Sequence, residues 1–250
     1  MSRRGLTLIE LLMIFLILAV VAGIVIPLVT NQRDRSARAM CMSRLRAIGQ
    51  AILLYSNDNR GAYPRTRAST EPVRVPTWGT GAAATQPFTD PNGPADNDVS
   101  AAIFLLLRTQ DVTPEVLNCP ATNAESDKFA GLTAVQRSNF TDVKRNLSYS
   151  YQNPYPSNST IEKSRRGISR HIPPGSEYPI AADINPGKDG GNSVNHNARG
   201  QNVLYGDGHV AWVKDALVGV NGDNIYTATD GSVVASPADP DDSILLPTDD

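Results

Sequence analysis

The strongest pattern in the chain is a nearly unbroken apolar run over residues 6–29. Of these 24 residues, 17 are Leu, Ile, Val or Phe, and Glu10 is the only one that ionises. A helix of this length extends about 36 Å, which is enough to cross the hydrocarbon core of a bilayer with some tilt. The pattern therefore predicts a transmembrane helix over residues 6–29.

Glu10 is out of place in such a helix. A carboxylate near the centre of a membrane costs about 2.5–3.5 kcal/mol, whereas each strongly apolar residue contributes about 0.3–0.6 kcal/mol towards insertion. The apolar residues outweigh the single acid, so the helix should insert. The carboxylate of Glu10 then requires a polar partner inside the membrane.

A second apolar pattern follows Pro27, where the missing backbone donor and the crowded preceding turn predict a kink. Beyond this point, apolar residues recur at spacings of three and four, as on one face of a helix. They are Ala37, Cys41, Leu45, Ile48, Ile52 and Tyr55. This stripe predicts that an amphipathic helix continues over residues 30–57.

The apolar periodicity is lost after residue 57. Residues 58–97 include ten Gly or Pro and predict a long surface loop, with one short strand near residues 73–78. A short helix is predicted over residues 101–108, capped by Asn97 or Asp98. Thr113-Pro114-Glu115 then has the composition of a helix start and predicts a single turn.

Alternating residues predict a strand at 147–151, and residues 178–182 are a candidate for a neighbouring strand. Residues 202–205 and 209–213 flank Gly206-Asp207-Gly208, whose composition is typical of a hairpin turn. These elements predict a globular α+β head with an antiparallel β-sheet over residues 58–228. Residues 229–250 are rich in aspartate and proline, and predict an acidic, disordered and solvated tail.

Composition narrows the functions that the chain can have. A net charge of −2 and a pI near 5.9 argue against nucleic acid as a partner. Cys41 and Cys119 are too few for a disulfide framework or a zinc site. Two interpretations stay open: one bridge, if the head lies outside the cytoplasm, or two free, partly buried thiols. The sequence contains no P-loop, dinucleotide fingerprint or Ser-His-Asp motif, so no catalytic residue is predicted.

The sequence Gly5-Leu6-Thr7-Leu8-Ile9-Glu10 resembles the processing site of type IV prepilins and of the pseudopilins of type II secretion. The shared features are a short basic leader (residues 1–5), a glycine at the cut, an apolar first mature residue and a glutamate four positions later. The resemblance implies a pilin-like fold, cleavage after Gly5 by prepilin peptidase, and methylation of the new Leu6 amino terminus. It also implies that Glu10 pairs with the Leu6 amino group of a neighbouring subunit in a homo-filament.

Two observations leave alternatives open. Residues 19–23 have the small-x-small pattern of a signal-peptide cut, although Glu10 would interrupt the apolar core of such a peptide. Arg33, Arg35 and Arg38 follow the span, and this charge bias alone favours a cytoplasmic head. The processing motif implies the opposite orientation: a single-pass protein of the cytoplasmic (inner) membrane, with a cytoplasmic N-terminus and a periplasmic or extracellular head.

The hairpin carries a second resemblance, to a His-to-Asp-Gly domain found downstream of prepilin-type N-termini. Ten residues separate His196 from Asp207, where nine are expected, and no activity is implied. If the fold brought them together, a metal ion would have three ligands in His196, Asp207 and His209. In the alternative interpretation, Asp207 serves the turn and His196 hydrogen-bonds a loop.

The pseudopilin resemblance also implies calcium in a C-terminal loop. No stretch matches a recognised calcium loop, so no cofactor is assigned with certainty. Oxygen donors of the right type are Asp183, Asn185, Asp189, Asp207 and Asp223.

Together these features predict a non-enzymatic filament subunit of type II protein secretion, assembled by the secretion machinery from the membrane. Two alternatives remain: a type IV pilus subunit for adhesion or motility, with the pilus assembly machinery as its partner, and a membrane-tethered metal-dependent enzyme or binding protein.

Overall fold

A computed structural model describes residues 7–70, 74–157, 175–187 and 191–249. The chain forms two compact units, Met1–Ala37 and Arg38–Asp250. The predicted arrangement, an N-terminal apolar helix followed by an α+β head with an antiparallel sheet, is confirmed. The predicted processing site at Gly5 and Leu6 lies outside the described residues.

Helix α1 spans Leu8–Asp58, so the two predicted helical segments form one element of 51 residues. The side chains of residues 27–31 are not described, and the kink at Pro27 stays a prediction. The helix ends where Arg60 adopts a left-handed conformation and the Gly61 N–H donates to the Ser56 carbonyl at 2.7 Å. This helix end agrees to within two residues with the prediction from the polar sequence after Tyr55.

Within the second unit, α1 buries the predicted apolar stripe. Cys41, Leu45 and Ile48 are fully inaccessible to solvent and belong to the main hydrophobic core. A Cβ built on Gly49 would lie 3.0 Å from the Leu204 side chain, so glycine permits close approach of the helix to the sheet at this point.

Helix α2 spans Val99–Thr109 and is held by Asp98, a fully buried cap. One carboxylate oxygen of Asp98 accepts from the Ala101 N–H at 2.8 Å, and the other accepts from the Thr80 hydroxyl at 2.6 Å and the Asn139 amide at 3.1 Å. The cap therefore also fixes part of the loop that precedes it. The predicted strand near residues 73–78 is not seen among described residues 74–78, where Thr77 makes an isolated bridge to Asp98.

The head contains a five-stranded antiparallel sheet in the order β4-β3-β2-β1-β5. A short helix α3 (Val143–Asn146) precedes it. The strands are β1 (Tyr149–Gln152), β2 (Pro179–Asp183), β3 (Gln201–Tyr205), β4 (Val210–Val213) and β5 (Leu245–Leu246).

Both faces of this sheet are buried. Leu204 packs in the core that contains α1 and α2, whereas Val203 and Tyr205 pack in a second cluster with Ile225 and Leu245. Adjacent residues of β3 therefore point into different cores, as the two-residue period of a strand requires.

The tail differs from the prediction. Ile244, Leu245 and Leu246 are fully buried, and β5 pairs with β1 as an edge of the sheet. The prediction failed because the aspartates around this segment give the tail the composition of a solvated chain. A two-residue strand is also too short to show the alternation of apolar and polar residues that indicates a strand. Its burial depends on partners that are distant in sequence.

A disulfide joins Cys41 in α1 to Cys119, which follows the single turn Pro114–Leu117. The Cα atoms are 5.3 Å apart, and the two residues are separated by 78 positions in the sequence. The bridge therefore ties α1 to a remote part of the head.

We predict that Leu245→Ala lowers the free energy of unfolding by about 2–5 kcal/mol, because it leaves a cavity in a buried cluster. Leu217→Ala is the matched control, since Leu217 is 58% exposed and should change stability by less than about 0.5 kcal/mol. Denaturant unfolding of the detergent-solubilised full chain measures both. Equal effects would show that β5 is not packed as described.

We predict that the double variant Cys41→Ala, Cys119→Ala loses about 4–5 kcal/mol of stability, because the bridge closes a long loop in the unfolded chain. The same unfolding measurement tests this, with Met40→Ala as the control because Met40 is 47% exposed. A double variant as stable as the parent would contradict a structural role for the bridge.

Candidate functional sites: the apolar helix surface and a buried cysteine–histidine cluster

The first candidate site is the surface of α1 over residues Leu8–Ile26. Among the described residues, this is the one stretch of helix long and apolar enough to cross a membrane. Its large apolar side chains are all exposed, from 46% for Ile14 to 83% for Leu8. Since exposed apolar area costs about 25 cal/mol per Å² in water, this surface requires lipid or other helices around it. It fits a single-pass membrane anchor.

Glu10 lies on the exposed surface at the start of this helix. Its Oε2 accepts from the Thr7 N–H at 2.8 Å and from the Thr7 hydroxyl at 3.0 Å, and the Glu10 N–H lies 3.3 Å from Thr7 Oγ1. The pair forms the reciprocal cap that satisfies donors at a helix start. This role of Thr7 was not predicted from the sequence. The predicted partner, the Leu6 amino group, lies outside the described residues.

The three metal ligands predicted around the hairpin do not lie together. Asp207 and His209 are adjacent in the turn, with 2.6 Å between Oδ1 and Nδ1, and each side chain is nearly half exposed. His196 instead lies beside Asn202 at the other end of β3. Asn202 and Asp207 are five positions apart, and Asp207 lies in the turn beyond the end of β3 at Tyr205; five positions span roughly 17 Å in an extended chain. The prediction that these three residues share a site is therefore wrong.

Asp207 instead serves the turn. The His209 N–H donates to its carboxylate at 3.0 Å, and this bond is the largest cause of the lowered pKa of Asp207, with smaller contributions from the His209 ring. The His209 ring stacks on Tyr205 with centroids 4.5 Å apart. These contacts match the alternative interpretation, in which the hairpin residues have structural roles.

The oxygen donors considered for calcium have separate partners. Asp183 accepts from Asn202, whereas Asp223 accepts from the Ser243 N–H at 3.1 Å, and burial raises the pKa of Asp223. Asn185 is buried and its amide donates to backbone carbonyls of other segments. Asp189 lies outside the described residues. Calcium binding at these donors stays a prediction.

The second candidate site is a buried group of four metal-ligating side chains: Cys41, Cys119, Asp183 and His196. Their ligand atoms all lie within 4.8 Å of one another. His196 Nε2 is 3.7 Å from Cys119 Sγ and 3.3 Å from Asp183 Oδ2. The two sulfur atoms form the disulfide that ties α1 to the head.

Local structure fixes the position of His196. It ends the single turn Val194–His196, which Ser193 caps, and Asn197 then adopts a left-handed conformation before β3 begins. The Trp212 ring packs edge-on against the imidazole with centroids 5.2 Å apart. Arg38 of α1 covers the Trp212 ring at 4.0 Å, so a cation–π contact closes this side of the cluster.

The carboxyl group of Asp183 is buried and accepts hydrogen bonds from amide donors. Its Oδ2 accepts from the Asn202 N–H at 2.7 Å and the Asn202 side-chain amide at 3.1 Å, and its Oδ1 accepts from the Asn195 amide at 3.2 Å. Burial, and next the charge of Asp183, raise the pKa values of Tyr149 and Tyr226 well above their usual range. The cluster is therefore an electronegative site inside the head.

In the sequence, each of these four residues is a candidate for a separate role. Cys41 and Cys119 are candidates for one bridge, His196 for a metal ligand near the hairpin turn, and Asp183 for a calcium donor. They come from α1, the segment after α2, the end of β2 and the turn before β3, and no linear spacing connects them. The one sequence signal that points to a shared site is the rarity of the two residue types, since the chain has two cysteines and three histidines.

No protein-family model matches the chain, and no solved structure matches it. Two curated proteins are similar to part of it. The type II secretion system core protein G of Klebsiella michiganensis is 32% identical over 65 residues, which cover 26% of this chain and 45% of that protein. The protein of the same name from Pseudomonas aeruginosa is 36% identical over 81 residues, which cover 31% of this chain and 56% of that protein.

The chain spans about half the length of the curated relatives that it matches. The alignments cover about a quarter to a third of this chain. The similarity, together with the exposed apolar helix and the antiparallel head, supports a pilin-like, pseudopilin-like protein.

Proposed function

We propose that the chain is a pseudopilin-like filament subunit of a type II secretion system. The observation that carries the proposal is the segment Leu8–Ile26 of α1, which exposes its apolar side chains on all sides and has one carboxylate, Glu10, near its start. Such a helix is stable in lipid and also in a bundle of identical helices. The similarity to type II secretion core proteins supports secretion as the process.

Processing prepares the helix for assembly in this proposal. Prepilin peptidase cleaves after Gly5 and methylates the Leu6 amino group, so the mature chain begins at the apolar helix. The helix keeps the subunit in the cytoplasmic membrane until it enters a filament. A charged amino terminus then lies among apolar helices, where a nearby carboxylate offsets its desolvation.

Glu10 supplies that carboxylate from a neighbouring subunit. Its exposed position leaves it accessible to a second chain, and Thr7 already orients Oε2. Since an unpaired charge in a dry bundle is costly, the pair favours the register in which each amino terminus meets a carboxylate. The mechanism is assembly, with no chemical step by the subunit itself.

The disulfide supports an orientation with the head outside the cytoplasm. Bridges persist in the periplasm and on the cell surface, whereas the cytoplasm keeps thiols reduced. Cys41 and Cys119 are bonded in the head. This observation favours the orientation implied by the processing motif over the one implied by Arg33 and Arg35.

We predict that Glu10→Ala abolishes filament assembly while the subunit is still processed and retained in the membrane, because the amino terminus of the neighbour loses its counter-charge. Glu10→Gln, of nearly the same size, should fail in the same way. Cross-linking of membranes followed by secretion assays measures assembly and export.

Glu115→Ala is the matched control, because it removes an exposed carboxylate from the head. It should assemble and secrete like the parent. Normal assembly and secretion by Glu10→Ala would contradict the role of Glu10. If the assembled filaments were found on the cell surface and secretion did not depend on the chain, a type IV pilus subunit would replace the secretion assignment.

A further inference from the structure

We propose that the head in its reduced state holds one thiophilic divalent cation, such as Zn²⁺, through Cys41, Cys119, His196 and Asp183. The ligand atoms are the two Sγ atoms, His196 Nε2 and Asp183 Oδ2. The site is separate from the apolar helix surface on which the assembly proposal rests.

The distances between these atoms agree with a tetrahedral site. Bond lengths of about 2.3 Å to sulfur and about 2.0–2.1 Å to nitrogen or oxygen place an N and an O ligand about 3.3 Å apart, and an N and an S ligand about 3.6 Å apart. His196 Nε2 lies 3.3 Å from Asp183 Oδ2 and 3.7 Å from Cys119 Sγ. Two edges of the tetrahedron are therefore present before any cation is bound.

The surroundings hold these ligands in place. Asn202 and Asn195 donate to the carboxylate of Asp183 and fix its orientation, as outer-shell partners do in metal sites. The Trp212 ring packs against the imidazole of His196. All four ligand residues are buried, so water does not compete for the position between them.

In the reduced state the two sulfurs ionise only when a cation is bound, and otherwise keep their protons. Two thiolates and the Asp183 carboxylate would place three negative charges in the core, which is prohibitive without a counter-charge. A divalent cation offsets two of them, and the amide donors stabilise the remaining one. The oxidised site needs no cation, because the disulfide is neutral and His196 lies against the carboxylate.

The cation and the disulfide exclude each other because both use the same sulfur atoms. Reduction by a phosphine breaks the S–S bond; the phosphine gives up two electrons and becomes its oxide with the oxygen of water, and the two protons of that water pass to the sulfurs. The cation then displaces these two protons and binds the thiolates. A head that folds before it is oxidised would thus link α1 to Cys119 through the cation.

The test uses the detergent-solubilised full chain, reduced with a phosphine under anaerobic conditions and titrated with Co²⁺ or Zn²⁺ alone. We expect one cation per reduced chain, with the absorption of a tetrahedral thiolate complex for Co²⁺. Zn²⁺ at 100 times its dissociation constant should slow alkylation of Cys41 and Cys119 by about 100-fold. The oxidised chain should bind no cation at this site.

His196→Ala and Asp183→Asn should each weaken binding by at least about 10–100-fold. His209→Ala is the matched control and should bind like the parent, because His209 lies in the exposed turn. A reduced chain that keeps its circular dichroism spectrum but binds no cation would overturn the proposal. Binding that is lost in His209→Ala, or that persists in the oxidised chain, would also overturn it.

If His196→Ala fails to fold, alkylation of the reduced parent chain decides the question. Protection of both thiols by Zn²⁺ would support the site, and alkylation rates unchanged by Zn²⁺ would refute it.

Discussion

The head depends on the packing of one apolar stripe of α1 against the sheet. Cys41, Leu45, Ile48 and Ile52 repeat at helical spacing and enter a core shared with α2 and the central strands. Gly49 allows the closest approach, next to Leu204. The disulfide and the contacts of Arg38 and Trp212 then fix the same segment of helix from other sides.

The first part of the same helix does not pack against the rest of the chain in this way. Over Leu8–Ile26 the apolar residues are not confined to one face, and their side chains are exposed on every side, so this part needs apolar surroundings that the chain does not supply. One element therefore combines a segment that builds the head with a segment that requires lipid or other subunits. This division is what a filament subunit stored in a membrane needs, because assembly exchanges lipid for helices and leaves the head folded.

Local patterns were sufficient to predict some parts of the structure. The long apolar run, the stripe from Cys41 to Tyr55, the Asp98 cap and the hairpin at Gly206-Asp207-Gly208 each follow from neighbouring residues, and each lies where it was predicted. The edge strand β5 and the cluster of Asp183 with His196 were missed. Both arise from contacts between residues that are distant in sequence, which no periodicity or motif indicates. The aspartates around β5 instead indicated a solvated tail.

The central claim is that the chain is processed at Gly5 and retains its apolar helix. Intact-mass spectrometry of the protein purified from its native membrane tests it most directly. The account predicts a chain that begins at Leu6, carries one added methyl group and lacks the two hydrogens lost to the disulfide. A mass that corresponds to a chain beginning near Gly23, or to one that still includes Met1, would contradict it.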